Sequence, residues 1–330
     1  DFMSSVKAVP LPALTITKSS NNISLQDLGR PYAQHLGISV SGVADEYAFL
    51  IANQLLGNQG NTLALEIAFG QVSFIAQSPC QLVTTGADCQ ASLNDVLIKN
   101  WQPFFVQKGD VLTFRRPKNG VYSYLAIQGG FIQETWLASG ITRPDNNQVL
   151  TSLLMKPHAE DQQSVNKMSD KIEKAQKIRT KPTNENYDRF YSSEKLTLRF
   201  IANQHWYQLN QAQQESIIGE TYSVDVNSNK MGYRINSEQD FEQSYNALVN
   251  HAPKLSVPVT FGTIQVPSNN QLIILMKDRQ TIGGYPSIGT IMKMDLFRLS
   301  QLKNGQMFSL IPISLNQAQQ QLKAFYQRFS

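Results

Sequence analysis

A mainly β protein in two halves, carrying a few short helices, is the fold class that the sequence predicts, on three observations. Apolar residues alternate with period two in short runs bounded by Gly and Pro, the signature of half-buried strands. Helical periodicity is confined to a few stretches. A polar segment at 156–194, rich in Lys, Asn, Gln, Asp and Ser, divides two strand-rich parts. Short strands at this spacing favour barrels or sandwiches over a parallel sheet with helical crossovers. The 330 residues, 41% of them hydrophobic, suffice for packed cores.

In chain order, Asp45 is a helix N-cap ahead of Ala48, Ile51, Ala52, Leu55 and Leu56, and Gly57 ends that helix. Leu63, Leu65 and Ile67 alternate, Gly70 breaks the run, and Val72 and Phe74 resume it, giving two strands around a bend. Phe104–Val106 and Val111–Phe114 flank Lys108-Gly109-Asp110 and read as a hairpin. Residues 122–127 form a strand stopped by Gly129-Gly130. A weaker helix is expected over 204–215, and strands over 271–276 and 307–313, the last opened by Asn304-Gly305. Asp295 is expected to cap a helix with Leu296, Leu299 and Leu302 on one face. Ser314 with Gln317 forms a capping box for a final helix through Leu315, Ala318, Leu322 and Phe325. The expected division is a barrel domain over 3–155, a polar linker or insertion over 156–194 with a solvated helix near 170–177, and a second barrel over 195–330.

Composition excludes several function classes. With 29 basic and 25 acidic residues the net charge is only +4, too small a footprint for DNA or RNA, so no nucleic-acid partner is expected. No apolar run reaches the roughly 18 residues of a membrane span, and residues 1–20 lack a signal-peptide pattern. Two cysteines, Cys80 and Cys89, are too few for a disulfide framework and read as small core fillers. Four histidines, His35, His158, His205 and His251, show no zinc-ligand spacing, so no metal is expected. A reduced, cytoplasmic protein without membrane attachment is the expectation.

Two polar clusters can carry chemistry. The first runs Gln26-Asp27-Leu28-Gly29-Arg30-Pro31, Gln34-His35-Leu36-Gly37 and Ser41-Gly42-Val43-Ala44-Asp45. Arg30 suits a two-pronged grip on a carboxylate, and His35 suits proton transfer near neutrality. The plainer alternative pairs Asp27 with Arg30 and leaves His35 capping a loop. The second cluster is Lys277-Asp278-Arg279-Gln280-Thr281-Ile282-Gly283-Gly284-Tyr285-Pro286, directly after an apolar strand. Its glycines offer backbone N–H groups to an anion or oxyanion, but the spacing is not that of a P-loop; a tight turn with Asp278 and Arg279 satisfying backbone groups is the alternative. Arg234 either supplies another guanidinium or is an ordinary surface Arg. Glu66, inside an alternating strand, faces either solvent or a polar cavity. Lys293 is expected to be exposed unless a barrel mouth covers it.

Together these clusters resemble the allophanate hydrolase subunit 2 family, also called the KipA or biotin-dependent carboxyltransferase-like family. Its bacterial stand-alone members include the C subunit of ATP-dependent 5-oxoprolinase. The resemblance also runs through Ala52-Asn53, Gly57-Asn58, Leu65-Glu66, Tyr124-Leu125-Ala126-Ile127, Met231-Gly232-Tyr233-Arg234, Gly262-Thr263-Ile264-Gln265-Val266-Pro267 and Asp295-Leu296. It implies a pair of cyclophilin-like β-barrels. It also implies two partners, a KipI-like B subunit plus a LamB/YcsF-like A subunit, with ATP used at the level of the complex. The implied reaction opens the lactam of 5-oxoproline to glutamate. The chain alone is then expected to be inactive. In that reading His35, Glu66 or Asp278 handle protons. Arg30, Arg234, Arg279, Gln280, Thr281, Gly283, Gly284 and Tyr285 hold substrate. The alternatives are a carboxyltransferase-like subunit of the allophanate hydrolase or urea carboxylase type and a KipA-like regulator binding a KipI-like partner. Met292-Lys293-Met294 resembles a biotin site without its flanking pattern, so no biotin is expected on this chain. One departure falls in the first cluster, where the family's usual Gly after Arg-Pro is Tyr32.

Overall fold

A computed structural model describes residues 10–19, 22–141, 150–155, 190–191, 196–237, 255–267 and 271–329. The protein is mainly β, with four α-helices among the described residues: α1 (Glu46–Leu55), α2 (Gln211–Gly219), α3 (Lys293–Ser300) and α4 (Leu315–Tyr326). No helix is long and apolar enough to cross a membrane among the described residues.

The first half consists of two sheets. In the seven-stranded one, Leu11–Lys18 lies between Ser152–Met155 and Val72–Ala76, and Val111–Phe114 follows. In the five-stranded one, Cys80–Asp88 and Asn119–Ile127 are central. Alternate residues of both, among them Leu14, Phe74, Leu82, Phe114 and Leu125, meet in one core that excludes water almost completely. The second half closes into a seven-stranded barrel, Leu196–Ala202 pairing in parallel with Met307–Pro312 and antiparallel with Ser287–Ile291. Leu198, Phe200, Tyr222, Ile264 and Phe308 fill it. Closure removes the strand edges that an open sheet would present.

A third core lies between the halves. It is built on α1, with Phe49 packed among Val83, Tyr124, Phe297 of α3 and Phe325 of α4. Each fully buried aromatic removes on the order of 2–3 kcal/mol worth of apolar surface from water, so this core clamps the two halves together. Phe190 and Tyr191, at the end of the segment expected to be a linker, pack here too: Phe190 stacks on Tyr47 at 4.1 Å between ring centroids. The remainder of the 156–194 expectation lies outside the described residues.

Two helix starts follow the expected chemistry. The Asp45 side chain accepts a hydrogen bond from the Ala48 N–H, and Ser314 with Gln317 forms the capping box of α4. Two expectations need correction. Phe104–Val106 and Val111–Phe114 are not a hairpin: the former pairs with Cys80–Asp88 and the latter with Val72–Ala76, so the intervening turn passes from one sheet to the other. Asp295 does not cap α3, whose N-cap is Met292; it sits in the first turn, and its carboxylate accepts hydrogen bonds from the Arg199 backbone N–H at 2.8 Å and guanidinium at 2.6 and 2.8 Å. The weak helix expected over 204–215 is a 3-10 turn at Trp206–Gln208 followed by α2, capped by Asn210.

Candidate functional site

The loop from Asp27 to Asp45 folds back on itself. Asp27 is buried, and its carboxylate accepts from the Gly29 N–H, the Ser139 hydroxyl and the Gly140 N–H, each at 2.9 Å. Arg30, 1% exposed, donates to the Ile141 carbonyl and lies 5.1 Å over the Trp136 ring. The Arg30 N–H donates to the Val40 carbonyl at 2.7 Å, which folds 28–30 against 40–42. Gly29 sits at φ +114° with the Ser41 carbonyl 2.8 Å from where a Cβ would stand, so only glycine fits. Tyr32 adopts φ +63° with its side chain 90% exposed. A left-handed backbone is thus kept where the family carries Gly, at a steric cost of about 1–2 kcal/mol.

This loop docks on the second half through the second cluster. The Gln34 side chain donates to the Val259 and Thr281 carbonyls at 2.9 and 3.1 Å, the Ser39 hydroxyl donates to the Lys277 carbonyl at 3.2 Å, and the Ser41 hydroxyl donates to the Asp278 carboxylate. The two clusters, some 240 residues apart, therefore share one boundary.

Beside it opens a cavity of about 470 Å³, lined by Leu28, Val40, Glu46, Phe261, Lys277, Arg279 and Lys293 among others. Glu46, in the first turn of α1, is 2% exposed and accepts from Lys277 Nζ at 2.7 Å and from the Tyr326 hydroxyl at 2.7 Å. Lys293 Nζ lies 2.9 Å from the second Glu46 carboxylate oxygen. Burial alone would raise the Glu46 pKa, but Lys277, Lys293 and the hydrogen bonds outweigh it and hold the carboxyl at about 2. Burial pulls the Lys277 pKa down and Glu46 pulls it back. A desolvated lysine beside a fixed carboxylate is a group able to give or take a proton. Arg279, 7% exposed, lines the same cavity. Three cations against one carboxylate leave this chamber electropositive. Among the described residues no group of His, Cys, Asp or Glu is placed to hold a metal ion.

The other expected residues do not line this chamber. Glu66 faces inward and not to solvent, accepting from the Ala44 N–H at 2.7 Å, the Tyr124 hydroxyl at 2.9 Å and Lys230 Nζ at 2.6 Å in a buried hydrogen-bond network. Asp278 is engaged with Ser41. Neither lines the cavity. Arg30, the expected carboxylate clamp, is also absent from its wall. His35 stands exposed on the 3-10 turn Gln34–Leu36. Gln280, Gly284 and Tyr285 are exposed, Thr281 contributes its carbonyl to Gln34, and Gly283 pairs with Val257 in a two-stranded ladder. Arg234 is exposed, with Asp225 as its ionic neighbour, and Lys230 of the same stretch reaches the interior instead. Lys293, for which exposure was one expectation, is one-third exposed and ion-paired.

Of the groups gathered at this chamber, sequence reasoning did not single out Glu46 and Tyr326, and it placed Lys277 in the second cluster without giving it a role. An acid in the first turn is what any helix dipole favours, so Glu46 carried no distinguishing local signal. Cys80 and Cys89 are buried and free, and burial pushes their thiols up to about 12 and about 11, as befits core fillers.

Comparison with known proteins places these features in context. The profile described as carboxyltransferase domain, subdomain A and B, matches residues 36–312. The chain is 30% identical over 308 residues to the 5-oxoprolinase C subunit of Escherichia coli, covering 92% of this chain and 93% of that one. It is 24% identical to the urea amidolyase of Saccharomyces cerevisiae over 92% of its length, while spanning only 17% of that enzyme. The crystal structure of the Kluyveromyces lactis urea carboxylase superposes over 99% of this chain with a TM-score of 0.79 at 19% identity, the chain spanning 29% of that structure.

Proposed function

Because this chain belongs to the carboxyltransferase domain family of subdomains A and B, we propose that it is the C subunit of an ATP-dependent 5-oxoprolinase, working with a KipI-like B subunit plus a LamB/YcsF-like A subunit. The observation that carries this reading is the electropositive chamber of Lys277, Arg279 and Lys293 around Glu46. 5-Oxoproline is small and carries one carboxylate, and a chamber of about 470 Å³ with three cations suits such a ligand. The likeness to the 5-oxoprolinase C subunit over nearly the full length of both chains supports it as well.

In this reading Arg279 and Lys293 hold the substrate carboxylate. Water adds to the lactam carbonyl carbon, the ring C–N bond breaks, and the departing nitrogen takes a proton. Lys277, its charge weakened by burial, is the group placed to transfer that proton. Glu46 keeps Lys277 and Lys293 in position. ATP, consumed by the assembled complex, supplies the driving force for breaking an unreactive amide.

The likeness to urea amidolyase favours a second reading, a carboxyltransferase-like component that acts on urea-derived substrates. That likeness is 24% identity over 17% of the enzyme, against 30% over 93% of the 5-oxoprolinase C subunit, which ranks this reading below the first. Reconstitution with candidate A and B subunits separates them: phosphate release that depends on 5-oxoproline and not on urea is expected. Release that depends on urea, or on neither, overturns the proposal, the latter in favour of a KipA-like regulator.

A further inference from the structure

The two halves also border a second cavity, larger than the first at about 1020 Å³. Lys99, Lys118, Arg298 and Lys303 line it, with Asp88 as the one carboxylate among its described lining residues. Four cations around one hollow repel each other, a cost that a bound anion reverses. Against those four positive charges Asp88 sets a single negative one, and one of its oxygens accepts from the Gln90 N–H at 2.9 Å. Lys303 is held in place by the Pro117 and Lys118 carbonyls at 2.7 and 2.9 Å, which uses two of its three donors.

The lining also includes Trp101. It is 7% exposed and adopts φ +64°, a conformation that costs a bulky residue energy and is kept where the surroundings demand it. A flat aromatic beside fixed cations is an arrangement that suits a ring bearing phosphates.

We infer that this second cavity binds a phosphate-bearing anion, held by Lys99, Lys118, Arg298 and Lys303. Two sources share that chemistry, a nucleotide and an inorganic polyphosphate. The site does not depend on what occupies the first chamber; a nucleotide here would deepen the reading above, yet the binding test needs neither turnover nor partner subunits.

The test is isothermal titration of the full chain with inorganic triphosphate and, separately, with ATP. Saturable one-site binding that weakens with added salt is expected, and Lys99→Gln combined with Lys118→Gln is expected to weaken it about tenfold or more. Both lysines are exposed, so the double variant is expected to keep the wild-type unfolding midpoint. Lys303→Gln is expected to weaken binding in the same direction. ATP binding several-fold more tightly than triphosphate identifies the nucleotide, and equal affinities identify the polyphosphate. Absence of saturation for both ligands, or unchanged affinity in the double variant, overturns the inference. So does a loss confined to Arg279→Gln, which would move the anion to the first chamber.

Discussion

Glu46 is a carboxylate buried to 2% exposure with two ammonium groups and a phenol around it. A buried pair is costly to half-remove, because the surviving charge has neither water nor partner. Glu46→Gln is expected to cost about 3–5 kcal/mol in urea unfolding. Lys277→Met should cost less, because Lys293 and Tyr326 remain with Glu46, and the double variant should show a coupling above about 1 kcal/mol. Next to it, Asp45 is held by Tyr191, Gln301 and the Ala48 N–H, yet burial dominates and raises its pKa to about 6. Between about pH 4 and 6 the folded state therefore holds a proton at Asp45 that the unfolded chain has released. Its contribution to stability falls as pH rises through that window, by about 3 kcal/mol in all. Glu46, held at about 2, acts in the opposite sense: its contribution is complete above about pH 4.5 and is lost as pH falls toward 2. Unfolding free energies measured from pH 3 to 8 should show Asp45→Asn flattening the upper limb and Glu46→Gln flattening the acid limb.

At the scale of elements, the first polar loop works by close approach. Gly29→Ala would bring a Cβ within 2.8 Å of the Ser41 carbonyl at a backbone angle of +114°. The expected result is a loss of about 1–3 kcal/mol, accompanied by weakened docking of Ser41 on Asp278. The caps of α1 and α4 were legible in the sequence because Asp45 and the Ser314–Gln317 pair act within one turn of their own chain. The strand at 111–114 was legible as a strand but not in its partner, since Lys108-Gly109-Asp110 closes a hairpin or crosses between sheets with equal ease. Asp295 misled for a related reason: an acid near a helix start serves as cap or as first-turn anchor, and only the position of Arg199, 96 residues away, decides. The chamber was half legible. The strand-end cluster holding Lys277 and Arg279 stood out, whereas Glu46 lies 231 residues from Lys277 and no local spacing joins them.

At the scale of the whole molecule, the halves are tied on several sides. Lys230 reaches Glu66, Gln34 reaches the 259 and 281 carbonyls, and Gln301 donates to Asp45 while accepting from the Val121 and Tyr122 N–H groups. With the α1 core between them, the halves are expected to unfold as one unit, giving equal calorimetric and van't Hoff enthalpies. Gln301→Ala, which leaves buried N–H groups unsatisfied, is expected to lower the single transition by about 2–4 kcal/mol. If it instead splits the transition in two, the halves are separate units. Gln301 lines the second cavity and donates to Asp45, whose neighbour Glu46 lines the first, so the start of α1 is linked to both chambers. The proposed reaction is assigned to the first of them. The most direct measurement is 5-oxoproline-dependent phosphate release by the reconstituted complex carrying Lys277→Met in this chain. Turnover at least about a hundredfold below wild type, with assembly intact, is the predicted result; turnover within twofold of wild type would contradict it.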